Sequence, residues 1–165
     1  MLLNRQWIAS QIPHRGGMHL LDAVEQWDES TITCTATSHR WEALPLRAHG
    51  RLGAACGIEY AAQAMAVHGA LLCPGTGEGG AANVGYLISV RDVVLRVSRL
   101  DDIAGDLTIT AERLAGQRNL LYRFVVMSQH RVLLDGRIAV LLDVLPAAAA
   151  HSPPSLARIP EEPDA

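Results

Sequence analysis

Glu59 and Gln63 stand in a stretch otherwise made mostly of small and apolar residues, Arg51 to Leu72, with the sequence RLGAACGIEYAAQAMAVHGALL. A carboxyl group enclosed by such residues holds its proton more tightly than one in water, because burial penalises the charged form, and this makes it a candidate for proton transfer. Gln63 follows Glu59 by four positions and shares its helix face, where an amide can reach a carboxyl group. No Lys or Arg lies between Arg51 and Leu72 to mark a solvated face. A plainer reading, in which Glu59 faces water or satisfies a backbone donor, is equally open from the helix alone.

The elements that must position this pair follow from the pattern of the rest. Ile58, Ala61, Ala62, Met65, Ala66 and Ala70 recur at spacings of three and four, which predicts a helix with a broad apolar face. Its small side chains let other backbone approach closely, as a helix enclosed by a sheet requires. The loop Ser38 to Gly50, SHRWEALPLRAHG, delivers the chain into that helix and carries polar groups to its N-terminus. Ahead of it, a short helix is predicted over Asn4 to Gln11. Next come a turn at His14, Arg15, Gly16 and Gly17, a strand over Met18 to Glu25, and a second strand over Ser30 to Thr37.

After Leu72, CPGTGEGGAANVG reads as a loop, without the lysine or the strand-to-helix setting of a phosphate cradle. Four strands follow, Tyr86 to Val97, Asp106 to Leu114, Leu120 to Met127 and Val132 to Val144, separated by turns. The layout is α+β, not an alternating βαβ chain. Residues 1–145 are expected to form one domain. From Pro146 the composition shifts to Ala, Pro, Ser and acids, and 146–165 is expected to be a tail without fixed structure.

The 165 residues are 49% apolar with a formal charge of -3, and all 14 basic residues are arginine. With no basic cluster or aromatic platform, nucleic acid is not an expected partner. Cys34, Cys56 and Cys73 are odd in number and lack CxxC spacing, so neither disulfides nor a metal site is expected, and no cofactor is implied. No leader pattern and no run of ~18 apolar residues is present, so no membrane association and a cytoplasmic location are expected.

One long helix with antiparallel strands around it fits the hotdog fold, an antiparallel sheet wrapped around one long central helix. Three segments carry a more specific resemblance. IPHRGGMHLLDAV resembles the N-terminal signature of the 3-hydroxyacyl-[acyl-carrier-protein] dehydratases. GIEYAAQAMAVHG is similar to their central-helix motif, an acid followed by Ala-Gln. YLISVRDVVLRV with DDIAGDLTITAE resembles their long strand and the turn after it, with Ala104 where proline is usual. The matches run in order from Ile12 to about Leu114 and come nearest to the dehydratase-like subunits of aryl polyene and related polyketide-type pathways.

The resemblance implies removal of water from a 3-hydroxyacyl thioester on an acyl carrier protein, by an acid on the central helix and a histidine from the opposite subunit of a dimer. The acid maps onto Glu59, to protonate the leaving hydroxyl; Gln63 would orient it. Backbone N–H groups at the helix start near Ala54 would hold the thioester carbonyl. The family's His-Phe-Pro has no counterpart, since Ala43-Leu44-Pro45 occupies that neighbourhood. His49 is the preferred substitute base, His39 the other candidate in the loop, and His14 is assigned to the structural turn. Arg40, Arg47 and Arg51 would meet an acidic partner, or simply be solvated. The expectation is therefore a dehydratase, with a catalytically incomplete partner subunit of a heterodimeric dehydratase as the alternative and a thioesterase as a third reading. A homodimer or a heterodimer with a second hotdog subunit is expected, because the long strand leaves an edge to be paired.

Overall fold

The computed structural model describes residues 3–14, 16–73, 83–116 and 119–144, the backbone alone for 83–86 and 142–144. Strand β1 (Leu3–Asn4) leads straight into helix α1 (Arg5–Gln11), where the Asn4 side chain accepts a hydrogen bond from the Trp7 N–H at 3.0 Å and so caps the first turn. Pro13 follows Ile12, which turns extended and ends the helix. Strands β2 (Ala23–Trp27) and β3 (Thr31–Ala36) form a hairpin whose turn is held by Asp28. Its carboxylate accepts from the N–H groups of Ser30 and Thr31 at 2.7 and 2.8 Å.

The central helix is α2 (Gly57–Leu72), preceded by a short turn of 3₁₀ helix at Ala54–Cys56. Four strands complete the fold: β4 (Asn83–Leu95), β5 (Leu107–Ala115), β6 (Asn119–Ser128) and β7 (Arg131–Val144). They join one antiparallel sheet in the order β1-β2-β3-β5-β6-β7-β4, against which α2 packs through β3, β5 and β6.

Alternation decides which side chains meet the helix. Leu107, Ile109 and Ala111 of β5 and Leu120, Tyr122, Phe124 and Val126 of β6 are buried on the inner face, as period two demands of a half-buried strand. The helix contributes Tyr60, Ala61, Ala64, Met65 and Val67 to the same core. Gly57 lets its first turn seat on β7, because a Cβ there would lie 2.6 Å from Leu134 Cδ2.

The start of α2 is fixed by the segment that leaves β4. Leu52 N–H donates to Asp101 Oδ1 at 2.8 Å, Leu100 N–H donates to the Leu52 carbonyl at 2.8 Å, and Ala54 N–H donates to the Ser98 carbonyl at 3.1 Å. Arg99 bonds the Asp101 carboxylate, with Arg47 alongside at 3.7 Å, and the Arg99 guanidinium holds that carboxyl well below the usual range. Helix position is thus tied to the sheet by a buried anchor and not by the loop's own stiffness.

The strand expected over Met18 to Glu25 is shorter than its apolar pattern suggests. Gly16–Met18 is a turn of 3₁₀ helix, and β2 begins only at Ala23. The intervening backbone bonds to side chains instead of a strand. Gln63 serves the Met18 carbonyl and the Leu20 N–H, and Ser38 donates to the Leu20 carbonyl at 2.7 Å. β4 starts at Asn83, earlier than the glycine run suggests. The remainder of that run, 74–82, and the expected tail, 146–165, lie outside the described residues. The hairpin between β6 and β7 turns on Gln129 and His130, both at positive φ (48° and 65°), which is the twist a two-residue hairpin needs.

Candidate active site at the first turn of the central helix

Glu59 sits in the first turn of α2, half-buried, with its side chain 31% exposed. Gln63, one turn on, is fully buried and donates to Glu59 Oε1 from Nε2 at 3.1 Å. The same amide nitrogen donates to the Met18 carbonyl at 2.7 Å, while Oε1 of Gln63 accepts from the Leu20 N–H at 3.0 Å. This fixes which end of the amide is nitrogen and leaves no freedom in its orientation. Tyr60 supports the same segment from the other side. Ser38 donates to the Leu20 carbonyl, so the Tyr60 hydroxyl donates to Ser38 Oγ at 2.9 Å, and burial pushes the phenol pKa up to about 12.

Pinning Met18 and Leu20 over the helix carries the preceding turn with them and brings His14 to the carboxylate. His14 Nε2 lies 3.0 Å from Glu59 Oε1. Oε1 is therefore gripped by two donors from two segments. Burial raises the proton affinity of Glu59, but the hydrogen bonds from His14 and Gln63 and the charge of His14 outweigh it, and the pKa lies below the ordinary carboxyl value. The expectation of a raised pKa is thus corrected: the surroundings are apolar, yet the two donors prevail, and the resting group is a carboxylate.

The other residues singled out in the sequence fall elsewhere. His49 occupies an exposed turn at φ 51°, between Ala48 and Arg51, and no hydrogen bond or ion pair joins it to Glu59 among the described residues. His39 is fully buried and its Nε2 is engaged by the Ile103 carbonyl at 3.0 Å, with burial lowering its pKa. Ala54 is near the helix start as expected, but its N–H is taken by Ser98 and is not free for a substrate carbonyl. Arg40 bonds the Ala104 carbonyl and Asp106, and Arg47 bonds the carbonyls of Gly50 and His39, so both guanidinium groups are used within the fold.

Sequence reasoning assigned His14 to the structural Ile-Pro-His-Arg turn and gave it no part in the site, whereas the structure brings its ring to Glu59. Among the described residues no group of His, Cys, Asp and Glu is arranged to hold a metal ion. What the arrangement can do is move a proton at Oε2 of Glu59, the oxygen that neither Gln63 nor His14 holds.

Comparison with known proteins bears on that chemistry. The structure is similar to the dehydratase heterocomplex ApeI:P from Xenorhabdus doucetiae, at 22% identity and a TM-score of 0.70, covering 82% of this chain and 90% of that one. It also resembles a mutant of the hypothetical protein SAV0944 from Staphylococcus aureus (15% identity, TM-score 0.55, 74% and 93% covered). A thioesterase, HI1161 from Haemophilus influenzae, is a further neighbour (15% identity, TM-score 0.52, 74% and 78% covered). A search of curated proteins finds no match. These likenesses establish the hotdog fold. The model of the ApeP-like family, described as ApeP dehydratase, matches residues 6–149, and with the acid-bearing helix in its place the chain belongs to that family of dehydratases.

Proposed function

We propose that the chain is a subunit of a dehydratase that removes water from a 3-hydroxyacyl thioester carried on an acyl carrier protein, in a fatty-acid or polyketide-type synthesis such as that of aryl polyenes. The observation that carries this is Glu59 in the first turn of the enclosed helix, with one oxygen held by Gln63 and His14 and the other left for substrate. Elimination breaks the C2–H and C3–O bonds, forms the C2=C3 double bond, and joins the hydroxyl to a proton as water. Glu59, resting as a carboxylate, handles one of those protons.

The second proton-transfer group comes from a second hotdog subunit. Leu44 is buried where the family's histidine is absent, and His49 points its turn outward, which favours a site completed across a dimer. The heterocomplex of the structural neighbour supports the same reading. β4, at the end of the sheet order, offers the edge for pairing, with Leu87 at 53% and Ile88 at 55% exposure. We place the complex in the cytoplasm, where the Cys34 and Cys56 thiols persist.

The test incubates the chain, alone and mixed with a second hotdog subunit of a dehydratase, with a 3-hydroxyacyl thioester of the carrier protein. Formation of enoyl thioester by the mixture, with little by the chain alone, supports the proposal. Free thiol without enoyl product would make it a thioesterase instead.

A further inference from the structure

Resting on the reading of Glu59 as the proton-transfer group, we propose that His14 is its positioning residue: from the turn ahead of β2 it fixes Oε1 together with Gln63, leaving Oε2 as the one oxygen that works, and sets Glu59 as a proton acceptor at the start of turnover. Three features of the geometry converge on this. The contact is short, 3.0 Å from Nε2 to Oε1. It is built, because the turn bearing His14 is held by Gln63 through Met18 and Leu20 on one side and by Ser38 on the other. It is also selective, since among the described residues no hydrogen bond reaches His14 Nδ1, which is buried, so Nε2 carries the only bond of the ring.

A carboxylate accepts hydrogen bonds, so the proton of this contact belongs to Nε2 and the imidazole donates. In the elimination, Oε2 takes the C2 proton, the electron pair of C2–H forms the double bond, and the C3–O bond breaks with its oxygen protonated by the acid of the second subunit. The Glu59 proton then returns to that acid through water, and both groups are restored. Among the described residues, the other groups facing the pair are Gln63 from α2 and His19 from the same loop, with Arg5 and Asp22 behind His19. None of these bonds Oε2.

The experiment titrates the Glu59 carboxyl by carbon-13 NMR in the full chain, in the wild type and in His14→Ala and His14→Asn, alongside the pH profile of dehydration by the assembled complex. Removing His14 moves the Glu59 midpoint upward in His14→Ala, because the opposing effect of burial is left less compensated, and Asn, which keeps an N–H donor, restores part of the difference. The acid limb of kcat/KM moves upward with it, and kcat falls by about 10²-fold in His14→Ala with KM changed far less. An unchanged Glu59 midpoint in a folded variant, judged by His14→Asn if His14→Ala does not fold, overturns the proposal. A profile that instead extends to higher pH overturns the acceptor role. A midpoint that moves while no form of the complex dehydrates the thioester supports the coupling and overturns the dehydratase reading.

Discussion

At the scale of the residue, the same physical forces decide two buried polar clusters in opposite ways. At Glu59, donors overcome burial and the carboxylate stays charged. At His68, burial prevails and the imidazole stays neutral, its pKa lowered against a carbonyl bond that favours the charge. His68 Nε2 donates to the Asp28 carbonyl at 2.8 Å, so Nδ1 accepts from the Tyr122 hydroxyl at 3.0 Å, with the two rings edge to face at 5.8 Å. His39 is likewise buried with a lowered pKa. Both residues bind a proton more readily when unfolded. Their contribution to stability is therefore complete above the ordinary value of 6.5 and is lost as pH falls below it. Replacing His68 by Leu strands the Tyr122 hydroxyl and the Asp28 carbonyl. The expected cost is about 3 kcal/mol at neutral pH, with a shallower loss of stability in acid, read by urea unfolding at a series of pH values.

At the scale of the element, the central helix was plain in the sequence because its apolar and small residues recur with helical spacing. Its neighbours in the sheet were plain because β5, β6 and β7 are runs rich in apolar residues bounded by turn residues. Met18 to Asp22 reads like a strand on the same grounds and is not one, since side-chain amide and hydroxyl groups of Gln63 and Ser38 take the place of a strand partner. Such a substitution leaves no trace in local periodicity. For the site, the four-residue spacing that puts Glu59 and Gln63 on one helix face was legible, and the two side chains are hydrogen-bonded. His14 was not, because what brings it to Glu59 is a contact made across the chain. His49, nearer in sequence, is carried outward by the Ala48–Arg51 turn. Gly57 shows how closely the helix is seated. Gly57→Ala would press a methyl group into Leu134, so that either the Leu134 side chain or the helix start with Glu59 on it must shift. A loss of about 1–3 kcal/mol is expected by chemical denaturation, together with reduced turnover beyond what stability explains.

At the scale of the whole molecule, the sheet ends on a strand whose outer edge has no neighbour among the described residues and whose side chains Leu87, Ile88, Val94 and Leu95 are exposed. An edge of that kind invites a second sheet. Ile88→Asp places a charge in that contact and is expected to leave the isolated chain folded while abolishing its association with the second subunit, as read by light scattering of the mixture. No helix of the described residues is long and apolar enough to cross a membrane. The account as a whole rests on Glu59 moving a proton. The most direct measurement is kcat/KM for a 3-hydroxyacyl thioester by the assembled complex carrying Glu59→Gln, which keeps the shape and the hydrogen-bonding reach of the side chain. The expected result is a fall of about 10²–10⁴-fold with the complex intact; turnover within a few fold of the wild type would contradict the account.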